Sequence, residues 1–565
     1  SLSGVVLGTL SNAVVILPDN EYTSESIRGG SQLADAKTKN TKEGLSKDYA
    51  FSYSVYKTEP FAMLIPHIFG GSSKMEVAED KSKAVASLQE MNPQIAQQLQ
   101  SALSFYWGGI GGTSGPPYVG AIVIFLALLG FVIVDSKYKW WILATTLLTI
   151  VMSWGSYFEG FNNFLYNHLP LYNKFRAPSM ILVVPTFLFN MMAILALQKI
   201  IETEDKTALL KNYKKGLMLT GGVFAVLVLL YLGYDYKGES DINLIKSINS
   251  IPDANTKAAF LEAGNQLVKG LKEDRQSLFL VDIFRSLFFI AIAGLGIWLS
   301  IKKKIQDWIL ILLIGFFAFV DIIIVDVKYL NSENYLVKEE SETNLNPTEA
   351  DKFILQDKSD YRVFDVSNGA QSAINYGARP AYFHQSVGGY HPAKLSIYQD
   401  LAENQLYNYP NCMPVLNMLN TKYIIHSLSS AQQVEPNANA CGSAWFIKSL
   451  KKVNTAREEM DALTTLNVKD TAVISKGFDA IADTKFSYDS ASKIELVKKL
   501  NDVVTYKTKT SSTQFVVFSE IYYSKGWTAY VDGKETPYAK VNYVLRGMPI
   551  PAGEHEIVFK FEPKS

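Results

Sequence analysis

Leu278-Phe279-Leu280-Val281-Asp282-Ile283-Phe284-Arg285-Ser286-Leu287-Phe288-Phe289-Ile290-Ala291-Ile292-Ala293-Gly294-Leu295-Gly296-Ile297-Trp298-Leu299-Ser300-Ile301, followed at once by Lys302-Lys303-Lys304, is the stretch that decides the fold. It holds only two charges, Asp282 and Arg285. As a helix rising ~1.5 Å per residue it is long enough to cross the ~30 Å hydrocarbon core of a bilayer. Six more apolar runs surround it, at residues 1 to 18, 118 to 135, 140 to 157, 178 to 198, 216 to 234 and 307 to 325. Together they predict a polytopic α-helical membrane protein.

The connections between these runs set the expected orientation. Three are short and basic: Lys137 and Lys139; Lys199, Lys206, Lys211, Lys214 and Lys215; and Lys302 to Lys304. Lysine-rich loops stay in the cytoplasm. Alternation then sends residues 19 to 117, 158 to 177, 235 to 277 and everything after Val325 to the outer side. The expected organisation is a first transmembrane helix at 1 to 18, already apolar at Ser1 and so read as clipped, and an extracytoplasmic loop domain at 19 to 117. A bundle of about six spans follows at 118 to 325, then an extracytoplasmic α+β domain at 326 to 512 and a β-sandwich-like segment at 513 to 565.

Composition agrees with a membrane part joined to an ordinary folded domain: 48% hydrophobic, 12% aromatic and 19% charged residues, with no net charge. No basic field exists to attract nucleic acid, so none is expected as a partner. Cys412 and Cys441 both fall in the predicted outward domain, where oxidation is possible and one disulfide is open to them. Their spacing carries no metal-site signature.

Within the outward segments, residues 76 to 104 read as helix around Pro93. Phe61 to Gly71 and Tyr106 to Gly112 are apolar but too short and too glycine-punctuated to span, and are expected at the membrane surface or re-entering it. The aromatic loop at 158 to 177 looks interfacial. Residues 241 to 273 read as an amphipathic helix lying on the membrane or on the outer domain. Farther on, Tyr361 to Val366, Tyr423 to His426 and Ala472 to Ser475 look like strands, whereas Ala456 to Leu463 and Ser490 to Leu500 look helical. From residue 513 the pattern is β: Phe515 to Phe518, then Trp527 to Val531 with an Asp532-Gly533 hairpin turn, then alternating His555 to Phe561. A small antiparallel sandwich follows from such strands.

Charges inside spans are costly and so point to a site. Asp282 and Arg285 lie three apart on one helical face, Asp321 falls at a similar depth in the next span, and Arg176 stands just before Pro178 at the mouth of another. All four belong to the outer third of the membrane. One reading is a polar cleft open to the outer leaflet, suited to the anionic headgroup of a lipid-linked substrate. The other is that Asp282, Arg285 and Asp321 pair to stitch helices together, with Arg176 on ordinary lipid phosphate. Gly108 to Gly115 is glycine-rich without the lysine and helix of a P-loop, and His384 with His391 lacks further ligands at zinc spacing.

Several longer motifs bear a family likeness. The run Leu169-Pro170-Leu171-Tyr172-Asn173-Lys174-Phe175-Arg176-Ala177-Pro178 resembles a segment of the bacterial YfhO-type membrane proteins. So do Ser26-Ile27-Arg28-Gly29-Gly30, Ile65-Pro66-His67-Ile68-Phe69-Gly70-Gly71, Gly389-Tyr390-His391-Pro392-Ala393-Lys394-Leu395, Leu416 to Ile425, Tyr522 to Lys534, and Pro551 to His555. That resemblance implies likeness to the C-type membrane glycosyltransferases of the bacterial cytoplasmic (inner) membrane. These take a sugar from a polyprenyl-phosphate carrier and pass it to a surface glycopolymer or lipid acceptor on the outer side. It also implies longer ends than this chain has, with the catalytic acid in a first outward loop expected upstream, so the catalytic residue here is unknown. Arg28, Lys174 and Arg176 are implied as headgroup or substrate contacts, beside Asp282, Arg285 and Asp321 from the charge argument. His391 and Lys394 form a motif without an assigned role. No cofactor is certain, and a divalent metal is possible at the leaving phosphate. Two alternatives stand: a transporter or flippase of lipid-linked glycan, and a non-catalytic envelope scaffold whose outer domain binds carbohydrate or protein on an aromatic platform that includes Trp527 and Tyr530, against which stands burial of Trp527 in the sandwich core.

Overall fold

The computed structural model describes residues 2–33, 43–343 and 345–563. Two compact units make up the chain: Lys47–Leu336, and Ser1–Ser46 together with Val337–Ser565.

The first unit is helical. Four of its helical stretches are long and apolar enough to cross a membrane: Pro178–Glu202, Lys206–Gly233, Ala254–Ile301 and Asp307–Asn334. A bent pair, Lys137–Ser153 with Gly155–His168, makes five if it counts as one span, and it turns through 112°. The bend sits at Gly155, where φ is +45° and an added Cβ would lie 1.9 Å from Ser54 Oγ. A side chain there would break the turn that the Ser54 hydroxyl fixes by accepting from Ser156 N at 3.0 Å.

Three expectations about the spans are corrected. The run at 118 to 135 yields only Ala121–Ile133, 13 residues long. At ~20 Å it is shorter than the hydrocarbon core. It is apolar all round because it is packed against Pro178–Glu202, Lys206–Gly233, Ala254–Ile301 and Asp307–Tyr329. The run at 1 to 18 forms two helices, Leu2–Ser11 and Ala13–Glu25, interrupted where Ser11 and Asn12 side chains both donate back to Gly8 O. Such local bonds compete with the helical ladder. Finally, the segment 241 to 273 is no separate surface helix. After Glu239–Asn249 the chain enters one helix of 48 residues, Ala254–Ile301, that runs unbroken through the predicted span.

The region around Pro93 folds as Lys83–Gln89 and Pro93–Leu99, with Pro93 opening the second helix. Within Phe61 to Gly71 and Tyr106 to Gly112 every residue is buried except the half-buried Phe61, Gly109 and Ile110 and the exposed Gly111 and Gly112. Ile65 and Ile68 are fully buried, and Trp107 N donates to Phe69 O at 3.1 Å, so the two segments pack on each other inside the unit. An ion pair between Lys199 and Asp135, 3.4 Å long, brings two of the lysine-bearing connections to one end of the bundle.

The second unit is α+β. A small sheet pairs Arg362–Asp365, Thr421–Ile425 and Val434–Pro436, and Ser449–Val453 runs parallel to Thr471–Ser475. Two larger sheets form the sandwich. One holds, in order, Lys534–Glu535, Trp527–Val531, Gly553–Phe561, Val503–Thr510 and Lys493–Lys499; the other holds Ala539–Val541, Leu545–Ile550, Gln514–Ile521 and Ala444–Ile447. Phe446, Val516, Phe518, Met548 and Ile550 of one sheet meet Val504, Tyr506, Ala529, Ile557 and Phe559 of the other. Lys493–Lys499 is the point where the expected helix at 490 to 500 fails. Its alternating burial has the two-residue period of a strand, and cross-strand pairing with Val503–Thr510 overrides the helix propensity of its lysine and leucine. The Asp532-Gly533 turn has φ of 50° and 78° at its two positions, the left-handed pair that a tight hairpin requires.

Cys412 and Cys441 are both free thiols. The open disulfide is not formed, and burial pushes their pKa values up to about 11 and about 12. Such thiols are poor nucleophiles.

Candidate functional site

The polar residues of the helical unit converge at one end of the bundle. Asp282 projects from the long helix about 19 residues before its Ile301 end, or ~28 Å along it. Its Oδ2 accepts from both the backbone N and Nδ1 of His67, each at 2.8 Å. The other face of the imidazole, Nε2, lies 3.2 Å from the Tyr329 hydroxyl and 3.5 Å from Glu76 Oε2. Gly71 makes this possible, since a Cβ there would stand 2.7 Å from His67 Cδ2 and 2.8 Å from Tyr329 Oη. Burial opposes a charge on His67, but the Asp282 carboxylate and the hydrogen bonds to Asp282 and Glu76 outweigh it, and the imidazole pKa is raised. Glu76 is likewise buried, yet bonds from His67 and Ser72 hold its carboxyl below the usual range. The imidazole thus sits between two carboxylates, with Asp282 on Nδ1 and Glu76 beside Nε2.

Arg285 extends the same network. Its Nε donates to Asp282 Oδ1 at 3.2 Å, Nη1 to Asp321 Oδ1 at 2.9 Å and Nη2 to the Tyr118 hydroxyl at 3.1 Å. Asp321 in turn accepts from Tyr118 Oη and, at 2.6 Å, from Ala121 N, capping the Ala121–Ile133 helix at the end where a negative charge is favoured. The sequence argument placed Asp282, Arg285 and Asp321 at one depth, and here they touch. It weighed His67 as a substrate contact at the membrane surface against interfacial packing, and it missed Glu76, Tyr118 and Tyr329. The one available signal was the histidine between Pro66 and Phe69 in a glycine-ended apolar run.

Arg176 and Lys174 lie elsewhere in the unit, in the loop between Glu159–His168 and Pro178–Leu182. Arg176 Nη1 donates to Tyr49 Oη at 2.7 Å, and its guanidinium lies 5.1 Å from the Tyr49 ring centre and 5.7 Å from that of Tyr53. Leu171, Ala177 and Tyr53 all have φ between 61° and 65°. Three non-glycine residues in the left-handed region are strain that a functional loop can hold. Within five residues of Arg176 along the chain, Leu171, Phe175 and Met180 are 61%, 66% and 73% exposed. The cation thus belongs to a chain segment that also exposes three large apolar side chains.

Arg28 belongs to the other unit, where Nη2 reaches Pro392 O at 3.4 Å and the preceding Ile27 N donates to Lys394 O at 2.9 Å. The arm 22–31 thus lies along the His391 to Lys394 motif. His384 is 3.0 Å from Asp351, which also binds Arg379 at 2.8 Å, and has no metal partners. Among the described residues no group of three or more His, Cys, Asp or Glu could hold a metal ion.

The strands that build the sandwich carry the decisive likeness. Residues 463–565 match the family model of the bacterial membrane protein YfhO. The match takes in the Tyr522 to Lys534 and Pro551 to His555 motifs, and with them most of both large sheets; the other quoted motifs lie outside it. No curated protein matches the chain, and no solved structure does. With its four or five long apolar helices, the YfhO match supports a multi-pass membrane protein.

Proposed function

We propose that this protein is a membrane glycosyltransferase that moves a sugar from a polyprenyl-phosphate carrier to a cell-envelope polymer or lipid on the outer side of the bacterial inner membrane. The observation that carries this reading is the Arg176 loop. A guanidinium braced by Tyr49 and Tyr53, in a segment that exposes Leu171, Phe175 and Met180, suits a ligand whose phosphate is attached to an apolar chain. Lys174, two residues earlier, adds a second positive charge. In transfer, the leaving phosphate gains negative charge as the glycosidic bond breaks, and a fixed cation beside it lowers that barrier.

The test is transfer by the protein in lipid vesicles, with a radiolabelled polyprenyl-phosphate sugar and envelope acceptor. Arg176→Ala lowers the rate by about 100-fold, the scale for losing one charge-stabilising donor, and Arg176→Lys retains part of it. A wild-type rate in Arg176→Ala would leave Arg176 on ordinary lipid phosphate. No transfer by the wild type from any polyprenyl-linked donor sinks the reading.

A second reading, ion-coupled translocation of a lipid-linked glycan, draws on the buried Glu76-His67-Asp282-Arg285-Asp321 network. Buried ionisable chains in helical bundles serve proton relays in transporters. Net movement of labelled glycan-lipid across the vesicle bilayer without transfer would favour it.

A further inference from the structure

The α+β unit contains a cavity of about 290 Å³ walled by Tyr22 of the N-terminal arm, the 386–389 and 391–398 segments, Arg362, Ile374, Leu419 and Ile521. Its construction is specific. Gly388 packs so closely on the end of the Ala370–Asn375 helix that a Cβ would lie 2.3 Å from Ala373 O, and Gly389 has φ of +133°. The chain then returns through His391 to Lys394, whose Nζ donates to Ile374 O at 3.0 Å. Tyr398 closes the wall by donating to Val387 O at 2.5 Å. The arm is pinned across the motif by Ile27 N to Lys394 O at 2.9 Å and by Ser396 Oγ to Glu25 O at 3.1 Å. Tyr22 meets His391 edge-on, with ring centres 6.5 Å apart.

The charges in this wall do not balance. Arg362 is committed to the carbonyls of Leu419 and Ser519 and to Glu520, and Lys499 to Glu520 and Asp360. Lys394 has one carbonyl acceptor for its three N–H donors and, among the described residues, no carboxylate within ion-pair distance. Burial lowers its pKa, and the more distant Glu403 only partly opposes this. His391 uses Nδ1 to accept from Ala393 N, and its Nε2 meets no partner among the described residues. A half-buried ammonium short of acceptors, in the wall of a small cavity, is a site for an anion. The cavity lies at the small end of the range for ligand pockets, roughly 300–1,000 Å³, which limits the ligand to about one sugar ring.

We propose that this cavity binds an anionic monosaccharide, a sugar phosphate or a uronate. Lys394 holds the anionic group, His391 adds a hydrogen bond at the mouth, and Tyr22 lies against the ring. This assignment stands on the cavity alone and does not need the transfer reading.

Equilibrium dialysis of the full chain in detergent decides it, with labelled glucose 1-phosphate, glucuronate, glucose and inorganic phosphate as probes. One of the two charged sugars binds, glucose at least about tenfold more weakly, because a hydrogen-bonded charge contributes on that scale. Which charged sugar binds more tightly tells phosphate from carboxylate. Lys394→Met weakens that binding by about tenfold, and His391→Ala, at an exposed position, by about threefold. Should Lys394→Met fail to fold, His391→Ala decides by itself. The proposal is overturned if neither charged sugar binds the wild type, if folded Lys394→Met binds as the wild type does, if His391→Ala does, or if inorganic phosphate binds as tightly as glucose 1-phosphate.

Discussion

Buried charge is treated differently in the two units. In the helical unit every buried charged side chain discussed above is fully engaged. Arg285 directs all three of its nitrogens at Asp282, Asp321 and Tyr118. Fully buried Arg275 meets Asp241 and the carbonyls of Ser104, Phe105 and Tyr236. Among the described residues, the buried polar atoms left without a protein partner there are neutral: the Trp107 and Trp154 indoles and the Thr146 hydroxyl. In the α+β unit, Arg379 Nη1, Arg546 Nη1 and Glu459 Oε2 are buried without a partner. The lesson concerns surroundings. A charge among apolar helices has nothing else to solvate it, so it must be paired by the protein itself, whereas in the α+β unit a charged group can keep one atom unpaired while its other atoms are bonded.

Substitution can break this comparison. Asp282→Ala would remove the carboxylate that His67 and Arg285 share, leaving Glu76 and Asp321 as their partners, with an expected loss of about 3 kcal/mol, the low end of the scale for breaking a buried pair. Thermal unfolding in detergent measures it. Arg546→Met, at a guanidinium stacked 4.3 Å from the Trp527 ring and bonded only to Ile521 O, should cost less than about 1.5 kcal/mol. Equal losses at the two sites would erase the contrast. Gly533→Val sharpens it within the sandwich. It forces a branched side chain to φ of 78° and should cost about 1–2 kcal/mol without touching any charge.

The smallest effect is a pH dependence. The hydrogen bond from His555 Nδ1 to Asp532 Oδ2, 2.7 Å long, raises the His555 pKa above its ordinary 6.5. The stabilisation is therefore complete below 6.5 and lost as pH rises through the higher folded-state value. The same bond holds Asp532 below the usual range of 3.8, so that part is present above 3.8 and fades in stronger acid. The transition temperature of the sandwich should fall slightly on crossing from mildly acidic to alkaline pH, and Asp532→Asn should flatten that slope. An unchanged slope in Asp532→Asn would show that the pair contributes nothing.

Much of this architecture is legible in order along the chain. Hydropathy locates the apolar helices, because a run such as 307 to 325 has no other way to satisfy its backbone in an apolar setting. Turn chemistry locates the Asp532-Gly533 hairpin, because few residues accept its left-handed dihedrals. Spacing alone puts Asp282 and Arg285 on one face. Hydropathy does not fix where a helix ends, which is how the run at 118 to 135 comes to hold a helix of only 13 residues, Ala121–Ile133. Nor does it show that Lys493–Lys499 will find Val503–Thr510, since pairing energy comes from a neighbour rather than from the strand itself. Joining His67 to Asp282 and Tyr22 to His391 depends on side chains hundreds of residues apart. Local sequence determined the elements and their faces. Only long-range packing decided which charges are paired and which remain to receive a ligand.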